Sequence, residues 1–230
     1  MKKIGLVGGI GPASTAAYYW GLIRKSLDGQ GGRVYPEIVI DSVNMRRHDE
    51  MLAKGDYAAL GESLLASLGN LKAAGAEIAA ITANTEHIVW DRICDAFPLP
   101  VVSIVEATVR EMKRRHFQRA LILGTELTLR SGLYEKALAE KGITAIIPGS
   151  TDISLLGNLI YPNLENGIVI PGDREKIIAL ANAYIAREKA DALVLGCTEL
   201  PIAIRAEDVA VPVVDTTQVH IDAIYEQALQ

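Results

Sequence analysis

The sequence predicts an α/β protein made of two similar lobes, each with a mostly parallel sheet flanked by helices. Short runs rich in valine and isoleucine alternate with longer stretches of helical period, which is typical of βαβ units. The chain has 230 residues, enough for one large domain or two small ones. Segments of the first half also recur, in the same order, in the second half.

The periodicity predicts eight strands separated by helices. The predicted strands are Lys3–Val7, Glu37–Asp41, Ile78–Thr82, Val101–Ser103, Ala120–Leu123, Thr144–Ile147, Ala192–Leu195 and Val213–Val214. The clearest predicted helices are Ala13–Ser26, Tyr57–Ala74, Ile104–Arg115, Leu133–Lys141 and Arg174–Lys189.

Three matches indicate an internal duplication. IGLVGG at 4–9 matches ALILGT at 120–125, with an offset of 116 residues. AEIAAITANTE at 76–86 matches ADALVLGCTEL with an offset of 114, and LPVVS at 99–103 matches VPVVD with an offset of 112. The constant order favours duplication over the general likeness of strand–turn–helix segments. We expect an N-terminal lobe of residues 1–103 plus 211–230 and a C-terminal lobe of 104–210.

The charge balance argues against binding to nucleic acid or to an anionic membrane. The chain has 23 Lys and Arg against 28 Asp and Glu, a net charge of −5, whereas phosphate binding needs a basic surface. No apolar run reaches the roughly 18 residues of a membrane span. Glycines and a proline interrupt the apolar stretch after Met1-Lys2-Lys3, so we expect no signal peptide and a cytoplasmic location.

The two cysteines are too few for a disulfide framework and lack metal-ligand spacing, so no metal site is predicted. Cys94 lies in a stretch of helical period and is expected to be structural. Cys197 directly follows a predicted strand, and Thr198, Glu199 and Pro201 resemble a helix start with a hydroxyl cap. A helix N-terminus would stabilise the thiolate of Cys197 and make it a general base. The alternative is a small buried hydrophobe.

Ligands of parallel α/β sheets bind outside the carboxyl ends of the strands. The candidate positions are therefore the residues that directly follow the strands: Gly8–Pro12, Ser42–Arg47, Ala83–Thr85, Gly124–Thr125, Cys197–Glu199 and Asp215–Thr217.

The duplication places Ala83 at the position equivalent to Cys197. Asn84 and Thr85, like Thr198, offer donors that suit a carboxylate, although helix capping would also explain them. His87 fits a packed histidine as well as a functional one.

The loop Gly8–Pro12 matches neither the dinucleotide fingerprint nor the P-loop. It predicts a tight turn in which the backbone at Gly9 and Ile10 approaches a small ligand. Arg46 and Arg47 follow the second strand, where an arginine fork could hold a carboxylate or simply be solvated in a loop.

Over essentially its full length the chain resembles the aspartate/glutamate racemase family, through GGIGP (Gly8–Pro12), ANTEH (Ala83–His87) and GCTE (Gly196–Glu199). The resemblance implies two Rossmann-like lobes, an active site in the interlobe cleft, a homodimer, and racemisation without a cofactor by one cysteine on each face of the substrate α-carbon. It also implies that the α-carboxylate and neighbouring groups are held by Asn84, Thr85, Thr125 and Thr198, and a side-chain carboxylate by Arg47.

Two positions depart from the family pattern. Ala83 stands where most members have the first cysteine, and alanine can neither accept nor donate a proton. Either this copy is an engineered, inactive variant, or water or another residue serves that face. Glu165 lies where an aspartate-specific relative offers a lysine, so it would repel a distal carboxylate unless its loop turns away.

These observations favour a racemase acting on aspartate or glutamate, with Cys197 as one acid/base and position 83 as the other. Two alternatives stay open. One is a single-cysteine enzyme resembling arylmalonate decarboxylases, in which one thiol protonates an enediolate. The other is a catalytically silent protein that binds a small acid.

Overall fold

The computed structural model describes residues 1–30 and 35–230, and of residues 28–30 only the backbone. The chain divides into two compact units: the N-terminal unit, Met1–Ile104 with His220–Gln230, and the C-terminal unit, Val105–Val219. Each contains one parallel sheet of four strands with helices beside it. The predicted fold class, two similar α/β lobes with parallel sheets, is confirmed.

The sheet of the N-terminal unit has the strand order β2-β1-β3-β4. Its strands are β1 (Ile4–Gly8), β2 (Ile38–Ser42), β3 (Ile78–Ile81) and β4 (Val101–Val102). The helices in this part of the chain are α1 (Pro12–Gln30), α2 (Met45–Lys54), α3 (Tyr57–Ala73) and α4 (Trp90–Ile93), with 3₁₀ turns at Thr85–Val89 and Cys94–Ala96.

The sheet of the C-terminal unit repeats this topology as β6-β5-β7-β8. Its strands are β5 (Arg119–Gly124), β6 (Thr144–Ile146), β7 (Ala192–Gly196) and β8 (Val213–Asp215). The helices are α5 (Ile104–Arg114), α6 (Glu126–Arg130), α7 (Leu133–Ala139), α8 (Ser150–Ile160), α9 (Pro171–Glu188) and α10 (Leu200–Ala203). α11 (Thr216–Leu229) begins here and continues into the N-terminal unit, and 3₁₀ turns lie at Leu164–Asn166 and Ala206–Asp208.

Strand pairing reproduces the offsets of the sequence repeat. Ile4 pairs with Ile78 in the first sheet, and Ala120 pairs with Ala192 in the second, as offsets of 116 and 114 residues require. The pairing of β3 with β4 corresponds in the same way to that of β7 with β8. The two halves therefore share strand order and register as well as sequence.

Burial explains why the strands could be predicted. Every residue of β1, β3 and β7 is buried, as expected for inner strands of a parallel sheet covered on both faces. All eight predicted strands are present, with ends that differ by one residue. Helix ends differ more: α9 begins three residues before the predicted Arg174, because Pro171 suits the first helical turn.

The core of the N-terminal unit fixes α3 against the sheet. Leu60, Leu64, Leu68 and Leu71 follow one another at helical spacing, are fully buried, and pack in a cluster that includes residues of β1 and β3. Burying one leucine side chain contributes about 1.5–3 kcal/mol, so this stripe determines how α3 lies against the sheet. Asp56 caps α3 by accepting a hydrogen bond from the backbone N–H of Ala59 (3.1 Å).

One predicted boundary differs from the observed division. Residues 211–219 were expected in the N-terminal lobe, but Val213–Asp215 pairs with β7 of the second sheet, and the chain returns to the N-terminal unit only at His220. The cause is the duplication itself, because each half needs its own fourth strand. Among the helices of the described residues, none is long and apolar enough to cross a membrane.

Candidate active site

The turn after β3 contains three of the predicted site residues. Ala83 and Asn84 are buried, and Thr85 is half-buried. Asn84 occupies the N-cap position of the 3₁₀ turn Thr85–Val89, but its side chain makes no capping hydrogen bond. Helix capping therefore does not explain why a buried amide is present at this position.

His87 is a packed residue that fixes this turn. Its Nδ1 lies 3.0 Å from the carbonyl oxygen of Ala83, and its Nε2 accepts a hydrogen bond from the backbone N–H of Ile104 (3.4 Å). Because Nε2 accepts, Nδ1 carries the proton and donates a hydrogen bond to the carbonyl oxygen of Ala83. Complete burial lowers the pKa of His87 to about 4, so the ring is neutral at pH 7. The structure thus favours the packed alternative for His87.

The loop after β1 is tight for structural reasons. Gly9 has φ +87°, and a Cβ atom there would collide with the carbonyl oxygen of Val43. The Gly9 N–H already donates to Thr15 Oγ1 (2.8 Å), and the Ile10 side chain is buried in the core of the N-terminal unit. The substrate contacts predicted for Gly9 and Ile10 therefore stay predictions, and they cannot use the Ile10 side chain.

Arg47 lies on a helix and not in a loop, which corrects the expectation for Arg46 and Arg47. Both belong to the first turn of α2, which Asn44 caps. Arg46 pairs with Glu50 (3.1 Å), whereas Arg47 is exposed and has no carboxylate partner within the described residues. An unpaired guanidinium held by a helix after β2 can bind a carboxylate in bidentate fashion.

Cys197 directly follows β7 and is buried, only 4% exposed. Its Sγ donates a hydrogen bond to Glu199 Oε2 (3.1 Å). The Thr198 hydroxyl donates to the same oxygen (2.8 Å). A thiol, a hydroxyl and a carboxylate thus form one hydrogen-bonded group at the carboxyl end of β7.

The predicted thiolate character of Cys197 is wrong for this structure. The pKa of the thiol is raised well above its usual range, first because burial removes water from the thiolate and second because the Glu199 carboxylate repels it. The backbone N–H groups of Glu199 and Leu200 lower the pKa but do not compensate. Cys197 is therefore a protonated thiol whose proton faces a carboxylate.

The predicted hydroxyl cap at Thr198 is also corrected. The following helix, α10, has only four residues, and Glu199 occupies its N-cap position without a side-chain cap. Thr198 instead uses its hydroxyl on Glu199. Pro201 lies in the first turn, as expected.

Thr125 caps a helix in the C-terminal unit. Its Oγ1 accepts from the backbone N–H of Thr128 (3.3 Å) and donates to Thr128 Oγ1 (2.9 Å). Because Gly124 pairs with Gly196, Thr125 and Cys197 follow neighbouring strands. The predicted role of Thr125 in carboxylate binding stays a prediction.

The structure brings the predicted residues together as two sets, each at the carboxyl edge of its own sheet. The N-terminal set is Gly9, Ile10, Arg47, Ala83, Asn84 and Thr85, and the C-terminal set is Thr125, Cys197 and Thr198. Glu165 is half-buried in the 3₁₀ turn Leu164–Asn166 of the C-terminal unit, and its effect on a substrate stays a prediction. Cys94 is half-buried in a short 3₁₀ turn.

Sequence reasoning missed the role of Glu199, which it treated only as part of a helix start. The available indication was an acid two residues after a cysteine that directly follows an apolar predicted strand.

Sequence reasoning also missed the buried histidine His220. Its Nε2 donates to the Val102 carbonyl (2.9 Å), and its Nδ1 accepts from the Tyr18 hydroxyl (2.8 Å). Burial lowers the pKa of His220 to about 3.

A sequence model of the Asp/Glu/hydantoin racemase family matches residues 7–224. The chain belongs to this family. Within the residues described, no group of three or more His, Cys, Asp and Glu side chains is arranged to hold a metal ion. The homodimer, the cytoplasmic location and the absence of a cofactor stay predictions.

Similar proteins agree with the family assignment. The chain is 34% identical to an aspartate racemase homologue from Pyrococcus horikoshii, with a TM-score of 0.87 and full coverage of both chains. It shares the fold of an aspartate racemase from Picrophilus torridus (24% identity, TM-score 0.82, 98% and 94% coverage). It is 24% identical over 219 residues to the broad specificity amino-acid racemase RacX of Bacillus subtilis, covering 93% of this chain and 92% of that protein.

Proposed function

We propose that this racemase-family protein moves the α-proton of an acidic amino acid, aspartate or glutamate, with Cys197 as the acid/base on one face. The observation that carries the proposal is the contact of Cys197 Sγ with Glu199 Oε2 at 3.1 Å. A general acid/base needs a partner that can take its proton and return it. A buried thiol that faces a carboxylate has such a partner.

The proton transfer needs only these two residues and the substrate. Glu199 accepts the thiol proton, and the backbone N–H groups of Glu199 and Leu200 hydrogen-bond to the resulting thiolate. The thiolate then takes the substrate α-proton, and the electron pair of the broken C–H bond passes into the substrate carboxylate as an enolate-like system. In the reverse direction the Cys197 thiol returns a proton to the α-carbon.

Substrate binding is assigned to the other predicted residues. Asn84, Thr85, Thr125 and Thr198 are proposed to hold the α-carboxylate, where donors stabilise the negative charge that develops when the α-proton leaves. The Thr125 and Thr198 hydroxyls donate to Thr128 Oγ1 and Glu199 Oε2 in the structure, so each would have to turn toward the substrate in order to donate to it. Arg47 is proposed to bind the side-chain carboxylate, because its guanidinium is exposed and unpaired among the described residues.

Ala83 supports a second candidate function. Racemisation needs a base on one face and an acid on the other, and a methyl group supplies neither. One-sided chemistry would need Cys197 alone. In such a reaction a C–C bond of a substituted malonate breaks with release of CO₂, the electron pair forms an enediolate, and the Cys197 thiol protonates it.

The test restores a titratable group at position 83. Ala83→Cys should racemise L- or D-aspartate or glutamate, detected by chiral chromatography, with a rate at least about 100-fold above that of the unchanged protein. Ala83→Ser is the matched control, because its hydroxyl oxygen takes the place of the cysteine sulfur but does not titrate near pH 7. Cys197→Ser in the Ala83→Cys background should abolish the reaction.

Each negative outcome has its own meaning. A folded Ala83→Cys protein without activity on any acidic amino acid would contradict the racemase proposal. Release of CO₂ from a substituted malonate by the unchanged protein would establish the second candidate. Binding of acidic amino acids without any α-proton chemistry, even after Ala83→Cys, would show a binding protein.

A further inference from the structure

His48 and Glu86 form a buried pair of ionisable side chains that the proposed chemistry does not use. Their side chains are 1% and 2% exposed, and His48 Nδ1 lies 3.8 Å from Glu86 Oε1. His48 Nε2 also contacts Ser63 Oγ of α3 at 3.0 Å. Within the described residues, His48 Nδ1 and Glu86 Oε2 have no hydrogen-bond partner.

A pair of this kind is a poor way to gain stability. Removing an imidazole and a carboxylate from water costs several kcal/mol, and apolar residues of similar volume often serve equally well. Incomplete hydrogen bonding makes the cost higher. A contribution to stability alone therefore does not account for these two residue types. In some proteins, buried polar groups are retained because they fix one relative position of the elements that they join.

The pair joins the two elements that carry the proposed binding groups of the N-terminal unit. His48 is on α2, directly after Arg47, and Glu86 directly follows Thr85 in the turn after β3. The negative charge of Glu86 also affects α2, because it raises the pKa of Asp49 on that helix. Burial of Asp49 raises this pKa more. On α2 the His48 side chain faces inward while Arg47 is exposed.

We propose that His48 and Glu86 are positioning residues that set the distance between Arg47 and the Asn84–Thr85 turn, and thereby the preference for a substrate with a second carboxylate. This inference rests on the proposed function, in which Arg47 binds the distal carboxylate and the turn binds the α-carboxylate. Misplacement of such groups by about 1 Å can cost two orders of magnitude. Neither residue touches the substrate, so the effect acts through α2.

Binding measurements test the proposal without requiring turnover. Calorimetry gives the dissociation constants of aspartate, glutamate and alanine. The preference is defined as the dissociation constant of alanine divided by that of aspartate or glutamate, whichever binds more tightly. Arg47→Ala should remove the preference. The double variant His48→Leu/Glu86→Leu keeps the volume apolar, so it should fold with little change in melting temperature. Its preference should fall about tenfold or more, with alanine binding nearly unchanged.

Two further variants separate positioning from stability. Ser63→Ala removes only the contact to His48 Nε2 and should lower the preference in the same direction by a smaller factor. Tyr184→Phe, in the C-terminal unit, removes a hydroxyl that donates to Asp152 Oδ2 (2.7 Å) and accepts from the Gly149 N–H (2.7 Å). It should lower the melting temperature but not the preference. In an Arg47→Ala background, the double variant His48→Leu/Glu86→Leu (the leucine pair) should have no further effect on the preference.

The outcomes distinguish this inference from the proposed function. If the unchanged protein binds neither acidic amino acid, the proposed function fails. If Arg47→Ala removes the preference while Ser63→Ala and the leucine pair keep it, only the positioning inference fails. Should the leucine pair not fold, the Ser63→Ala result alone decides, and an unchanged preference there overturns the inference.

Discussion

The turns after β3 and after β7 lie at equivalent places in two sheets of the same strand order, yet their side chains differ in chemistry. After β7, the acid Glu199 contacts the thiol of Cys197. After β3, position 83 is alanine, and the acid Glu86 is directed toward His48 of α2. The duplication preserved the backbone while the side chains diverged. Under the proposed function, the turn after β7 supplies the acid/base Cys197, whereas the turn after β3 supplies only binding groups.

The largest expected effect concerns the acid of the C-terminal turn. In the Ala83→Cys background, Glu199→Gln should lower the rate of α-proton exchange by about 10²-fold or more, because the thiol loses its proton acceptor. It should also move the midpoint of Cys197 alkylation by iodoacetamide to lower pH, because the Glu199 charge raises the pKa of Cys197.

The matched control for Glu199→Gln is Glu207→Gln, an exposed acid of the same unit. It should leave both the exchange rate and the alkylation profile unchanged. An alkylation midpoint that does not move in Glu199→Gln would mean that the carboxylate does not act on the sulfur.

Acid should destabilise the N-terminal unit, which contains two buried neutral histidines. The pKa of His87 is lowered to about 4 and that of His220 to about 3, against about 6.5 in the unfolded chain. Stability from these groups is complete above pH 6.5. It is lost as the pH falls toward those values, because the unfolded chain binds more protons. The expected loss is about 1.4 kcal/mol per pH unit for each histidine.

Urea unfolding at pH 7, 6, 5 and 4 measures this loss. His220→Gln cannot titrate, so its free energy of unfolding should depend less on pH, by about 1.4 kcal/mol per pH unit between pH 6 and 4. An equal slope in the two proteins would show that His220 is already protonated or exposed in the folded state.

The smallest expected effects are changes in the free energy of unfolding at the equivalent positions Gly9 and Thr125. Gly9→Ala should lower the free energy of unfolding by more than the roughly 1–2 kcal/mol of left-handed strain, because its Cβ also meets the Val43 carbonyl. Thr125→Gly should cost only a few tenths of a kcal/mol, because glycine is tolerated at an N-cap. Gly55→Ala, at φ +67° with open space around it, isolates the strain.

Thermal or urea unfolding of the three variants gives the comparison. Equal losses for Gly9→Ala and Gly55→Ala would mean that the close approach to Val43 contributes nothing.

The sequence predicted most of the fold because buried parallel strands leave continuous apolar runs, and the repeat offsets anticipated the strand register. It also placed most of the candidate site residues directly after strands, whereas Arg47 lies in the first turn of α2. It failed where burial decides the outcome. The raised pKa of Cys197 and the pairing of His48 with Glu86 depend on how much water each group loses and on partners from other elements. Neither is visible in local patterns.

The most direct test of the division between the two turns uses the unchanged protein in D₂O with L- and D-aspartate and L- and D-glutamate. Mass spectrometry after chiral separation reports deuterium at the α-carbon and its configuration. Because Cys197 is the only proposed base, one enantiomer should gain deuterium with retention, and Cys197→Ser should stop the exchange. Inversion of both enantiomers, or exchange that survives Cys197→Ser, would contradict this account.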